Sequence, residues 1–155
     1  MGLKIDETDN SILSELVENS KLSSKILAKK LKIHPNTLLQ RVKRLEKNGI
    51  IKQYTTVVDY GKLGYGIHAL IFLKVNMARG WEDSLRPLSK LPNILSFLLI
   101  TGDADALVIA HVKDKDELAA LMRKLQDNNV VNKTTTHLIV DSYKEPHEFN
   151  PLKER

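Results

Sequence analysis

Six polar or cationic side chains, Asn36, Thr37, Gln40, Arg41, Lys43 and Arg44, fall at spacings that place them on the outward side of one helix. Amides and hydroxyls at its leading end can hydrogen-bond base edges, and the cations behind them can hold phosphates. That is the chemistry of double-stranded DNA recognition, and the charge distribution agrees with it. Residues 1–64 hold 12 Lys/Arg against 7 Asp/Glu, whereas residues 65–155 hold 12 of each, so the whole excess of +5 lies in the first part. Residues 21–52 carry 10 basic side chains and a single acid, Glu46. Such a segment can pair with an anionic polymer by releasing condensed counterions.

A second group with chemical potential is Thr101-Gly102-Asp103-Ala104-Asp105. Gly102 permits close backbone approach to a ligand carboxylate, and Asp103 or Asp105 can pair with a ligand ammonium. Glycine and aspartate are also what a plain β-turn prefers. Catalytic and metal chemistry find no motif. The histidines at 34, 68, 111, 137 and 147 form no helical ligand pair, and neither G-x-S-x-G nor H-E-x-x-H occurs. Asp103 and Asp105 alone make a poor cation site. The chain has no cysteine, which excludes disulfides and thiolate zinc centres. It is expected not to be an enzyme and to need no cofactor or metal. With no charged-then-apolar leader before Leu3 and no long apolar run, a cytoplasmic protein is expected, with no membrane association.

The elements that must position these groups can be read from periodicity. Asp6 caps a first helix with Ile12, Leu13, Leu16 and Val17 on its apolar side. A second helix starts at Ser23 or Ser24 and buries Ile26, Leu27 and Leu31. Pro35 opens the third, which runs to about Lys47 with Leu38, Val42 and Leu45 inward and Gly49 as its stop. Three short helices, the last two joined by a tight turn, make a helix-turn-helix. Ile50 to Val58 is β-branched and aromatic and reads as a strand or wing. A glycine-rich hinge follows at 59–66, without the spacing of a nucleotide-binding loop.

Beyond it come a strand at His68–Val75, a helix at Trp81–Lys90, strands at Ile94–Ile100 and Ala106–Val112, a helix at Lys115–Leu125 and a strand at Val130–Tyr143. The order βαββαβ is the ferredoxin-like split arrangement, one antiparallel sheet with both helices on one face. A second copy of the chain is the simplest cover for the other face. The expected fold class is therefore α+β: a winged helix-turn-helix at 1–58, the hinge, a βαββαβ domain at 67–144 and a polar tail at 145–155.

This organisation resembles the Lrp/AsnC family of transcription regulators and their archaeal relatives. The match is carried by Ile5-Asp6-Glu7-Thr8-Asp9 with Ile12-Leu13, by Leu27-Ala28-Lys29-Lys30-Leu31, and by Pro35-Asn36-Thr37-Leu38. Arg41-Val42-Lys43-Arg44-Leu45-Glu46, Gly49-Ile50-Ile51 and the glycine-aspartate turn at Thr101–Asp105 extend it, over about residues 4 to 143. The resemblance implies a sequence-specific regulator that forms homodimers, often assembles into octamers, and answers an amino acid or similar small-molecule effector bound by its C-terminal (RAM-type) domain. It implies an effector site at Gly102, Asp103 and Asp105, bordered by the last strand with Thr134 and Thr136. A ligand-independent architectural DNA-binding protein is the alternative, and an enzyme or small-molecule carrier built on the βαββαβ domain a third. Two departures from the family are visible. His34 stands where a capping serine is usual, and Ala104 and Ala106 stand where larger residues are common.

Overall fold

In the computed structural model the described residues are 4–153. The outermost residues of the expected 1–58 module and 145–155 tail lie outside them. The described residues form two compact units, one within residues 4–57 with 143–153 and one of residues 58–142.

The first unit is a three-helix cluster: α1 (Glu7–Glu18), α2 (Ser24–Lys30) and α3 (Pro35–Lys47). Each start is chemically marked. Asp6 and Asp9 form a reciprocal capping box on α1. The Ser23 hydroxyl accepts from the Ile26 amide on α2. On α3, Pro35 spends no amide, and the capping oxygen is replaced by a ring nitrogen: His34 Nδ1 accepts from the Asn36 amide at 3.2 Å. Ile12, Leu27, Ala28, Leu38 and Leu45 form the buried centre.

The segment read as a strand at 50–58 forms no strand and belongs to no ladder. β-propensity alone makes no sheet without a neighbour to pair with. The Tyr54 hydroxyl instead donates to Glu46 at 2.9 Å. The tail, described as far as residue 153, is not a loose appendage. It packs with this unit, and Asn150 Nδ2 donates to the Ser14 carbonyl on α1 at 3.1 Å.

The second unit has β1 (Ile67–Val75), α4 (Trp81–Leu85), β2 (Ile94–Leu99), β3 (Ala106–Val112), α5 (Lys115–Gln126) and β4 (Val131–Leu138). All pairs are antiparallel, in the order β2-β3-β1-β4. The helix expected to reach Lys90 ends at Leu85 and resumes as a 3₁₀ turn over Leu88–Lys90, because Pro87 has no amide to continue the ladder. β4 stops at Leu138, short of Tyr143. Alternation sends Ala69, Ile71, Leu73 and Val75 of β1 and Ala106, Val108, Ala110 and Val112 of β3 into the core with Leu121 and Leu125 of α5.

The other face carries Leu70 and Phe72 on β1, paired with Ile109 and Leu107 on β3, and Leu98 on β2, paired with Leu107. Leu70, Phe72, Leu107 and Ile109 are half-buried and Leu98 is exposed. At one end of this face His68 and His111 stack with ring centres 4.0 Å apart, and Tyr60 lies 5.3 Å from His111.

Candidate DNA interface and effector cavity

The α3 surface divides into two lines of side chains. Asn36, Gln40, Lys43 and Lys47 follow one another at helical spacing and are all exposed, as is Thr37. Arg41 and Arg44 continue from Thr37 along the neighbouring line, which faces α1. There Asp9 is fully buried, and its carboxylate accepts from Arg41 Nη1 at 2.8 Å and from Arg44 Nη2. Arg41 Nη1 also donates to Asp6 at 2.7 Å.

The two guanidinium groups read from the sequence as phosphate contacts are thus ion-paired across the helix interface, with Arg41 only 26% exposed. The Arg41 guanidinium holds the Asp6 carboxyl below its ordinary range, with the Asp9 amide helping. That carboxylate stabilises the fold above the ordinary Asp value near pH 4, and its contribution fades as pH falls through the lower folded value. No sequence signal marked Asp6 and Asp9 for this task, because each sits 32 or 35 residues from its arginine and already has a local role as a helix cap.

In the second unit a cavity of about 590 Å³ opens beside the Thr101–Asp105 turn. Phe72 and Lys74 of β1, Lys133, Thr135 and His137 of β4, and Ile100, Thr101, Asp103 and Ala104 line it. Gly102 adopts φ +115°, a conformation that favours glycine, with open space where a side chain would be. Asp103 faces the cavity, but Asp105 does not line it. The Asp105 carboxylate accepts from the Val75 amide at 2.8 Å and from Lys74 at 3.1 Å. The Val75 amide, aided by Lys74, lowers its pKa despite partial burial. Asp105 therefore fastens the turn to β1.

Thr134 and Thr136 lie opposite Leu73 and Ile71 and so share the helix-side face, away from the cavity. Thr134 Oγ1 accepts from Gln126 of α5 at 2.9 Å, while Thr136 Oγ1 is buried without a hydrogen-bond partner. Their neighbours Lys133, Thr135 and His137 present the cavity wall instead. Alternation sets which residues of β4 share a face, but an edge strand polar on both faces does not show which of them meets the cavity. Thr136→Val should accordingly raise stability by about 1 kcal/mol, since it removes an unsatisfied buried hydroxyl at constant shape. Thermal unfolding reads this, and a loss of stability would show that the hydroxyl has a partner.

Among the described residues no group of three or more His, Cys, Asp or Glu could hold a metal, and no helix is long and apolar enough to cross a membrane.

Residues 5–52 match the winged helix-turn-helix DNA-binding family, and residues 69–149 match the Lrp/AsnC ligand binding domain. The chain belongs to the Lrp/AsnC family. An HTH-type transcriptional regulator of Pyrococcus furiosus is 31% identical to it, over 96% of this chain and all of that one. Among solved structures, Bacillus subtilis LrpC is 32% identical with a TM-score of 0.80, over 92% of this chain and 99% of the other. A Neisseria meningitidis transcriptional regulator in complex with L-Met is 26% identical with a TM-score of 0.87, over 92% of this chain and 94% of that one. The regulator is thus a DNA-binding transcription factor with a ligand-binding domain, in a family of transcriptional regulators and not of enzymes.

Proposed function

We propose that this regulator reads an operator through α3 and takes a zwitterionic amino acid in the cavity beside the Thr101–Asp105 turn. In the reading of DNA, Asn36, Thr37 and Gln40 address base edges and Lys43 grips phosphate, with Lys47 behind it. Arg41 and Arg44 set the orientation of α3 against α1, and the partly exposed Arg44 keeps donors that can also face the backbone. The observation that carries the effector assignment is the cavity's composition. Lys133 and Asp103 supply opposite charges for a carboxylate and an ammonium, and Phe72, Ile100 and Ala104 supply an apolar wall. The relative that holds L-Met supports an amino acid as the class. Small Ala104 leaves room for a larger side chain than a bulky residue there would.

The open sheet face supports a homodimer. Leu70, Phe72, Leu98, Leu107 and Ile109 form one apolar surface, and a second copy covers it with the same residues. Assembly of such dimers to the octamer is the family's larger form, and a chain of this kind works in the cytoplasm beside its DNA. Native mass reading two or eight copies agrees with this assembly, and one copy contradicts it.

A thermal-shift series with each of the twenty amino acids at millimolar concentration tests the effector. Ligand at about 100 times its Kd adds about 2.7 kcal/mol to the native state. At least one amino acid should raise Tm in the wild type and lose that effect in Lys133→Ala and Asp103→Asn. No shift, or a shift that both variants retain, contradicts the assignment.

A further inference from the structure

Residues 143–153 are built into the DNA-binding unit. Pro146–Glu148 forms a 3₁₀ turn that the Glu145 amide closes by donating to Glu148 at 2.6 Å. Asn150 Nδ2 then reaches α1 and donates to the Ser14 carbonyl, the Ser14 hydroxyl and the Glu18 carboxylate at 3.1, 3.2 and 3.1 Å. Its own side-chain oxygen accepts from the Leu152 amide, which fixes the amide's orientation. Lys153 Nζ lies 3.3 Å from the same Glu18 oxygen. The Asn150 amide first, then Lys153, hold the Glu18 carboxyl below its ordinary pKa.

This seating has a topological consequence. The chain passes between the two units twice, once at 57–58 and once at 142–143. The second passage is the direct continuation of β4, with residues 139–142 alone between the strand and the unit boundary. β4 contributes Lys133, Thr135 and His137 to the cavity wall. At the other end of the route α1 is joined to α3 by Asp9, Arg41 and Arg44. A covalent and hydrogen-bonded path therefore runs from the cavity's edge strand through the tail and α1 to the DNA-reading helix.

We propose that residues 143–153 are a strap that couples β4 to α1, so that the state of the edge strand biases α3 and DNA on α3 biases the edge strand. The strap's contacts with α1 include one side-chain amide and one exposed ion pair, and a surface ion pair of that kind is weak enough to release. A two-state element of small energy gap is what a switch needs. Coupling of this kind is reciprocal, so DNA can serve as the probe and no effector need be known.

Hydrogen exchange of the β4 amides at Thr134–Leu138 tests the strap, measured on the full chain with and without a mixed-sequence duplex at low salt. Binding of the duplex should change exchange there by about fivefold in the wild type. In Asn150→Ala/Lys153→Ala the change should vanish, and in Lys153→Glu alone it should shrink. Both variants should bind the duplex within about threefold of wild type, since Asn150 and Lys153 lie against α1 and not on the α3 surface. No change at β4 in the wild type overturns the proposal. So does an undiminished change in the double variant, which would send the coupling through residues 58–66.

Discussion

Replacing Asp9 with alanine should cost the helical unit about 3–5 kcal/mol, the largest stability loss expected from any single polar substitution in the chain. The carboxylate is wholly buried and serves two guanidinium groups, so its removal strips the partner from charges that remain at the α1–α3 interface. Arg41 retains Asp6, and Arg44 is 41% exposed and can turn to water, which favours the lower end of that range. In a unit of this size each kcal/mol lowers Tm by about 4–8 °C, so a fall of more than 12 °C is expected by calorimetry. DNA affinity should fall with it, because the same contacts aim α3. A loss below about 1 kcal/mol would mean that the ion cluster only decorates a helix pair already fixed by Ile12, Leu38 and Leu45.

Leu107→Lys should weaken the dimer by at least a hundredfold while leaving the subunit folded. Each copy loses an apolar side chain worth about 1.5–3 kcal/mol at the covered face, and two-fold symmetry counts the loss twice. The sum of roughly 3–6 kcal/mol exceeds the 2.7 kcal/mol that corresponds to a hundredfold, before any cost of burying ammonium groups. Its neighbour supplies the control. Val108 points into the core beneath the helices, so Val108→Lys should unfold the domain outright. Sedimentation and thermal unfolding of the pair separate the two faces of β3. If Leu107→Lys kept the wild-type mass, the apolar face would have to be covered by something other than a second copy.

How far the sequence foresaw this molecule differs from place to place, for physical reasons. Where one side of an element is apolar, its phase was readable, as with Leu38 and Leu45 against Asn36 and Gln40 on α3, whereas β1, apolar on both faces, offered none. Local caps were readable too, as with Asp6 and Ser23. Contacts between distant residues were not. Arg41 looks like any basic side chain on a DNA-binding helix until Asp6 and Asp9 are placed beside it. On β4 the resemblance pointed to Thr134 and Thr136, but a strand polar on both faces does not show which face meets the cavity, and Lys133, Thr135 and His137 line it. Asp105 looked equivalent to Asp103, and only the Val75 amide distinguishes the fastener from the residue left facing the cavity. The tail looked irregular because its partners, Ser14 and Glu18, lie at the far end of the chain.

That α3 is the helix that reads DNA is tested most directly by a salt titration of duplex binding, followed by fluorescence anisotropy. An operator selected from random sequence by the wild-type protein is compared with a mixed-sequence duplex. Lys43→Ala should weaken both and lower the slope of log K against log salt by about one, as the loss of one phosphate contact requires. Gln40→Ala should cost about 1–3 kcal/mol on the operator alone and leave the slope unchanged. Equal losses on both duplexes for Gln40→Ala, or an unaltered slope for Lys43→Ala, would show that this face of α3 does not lie in the groove.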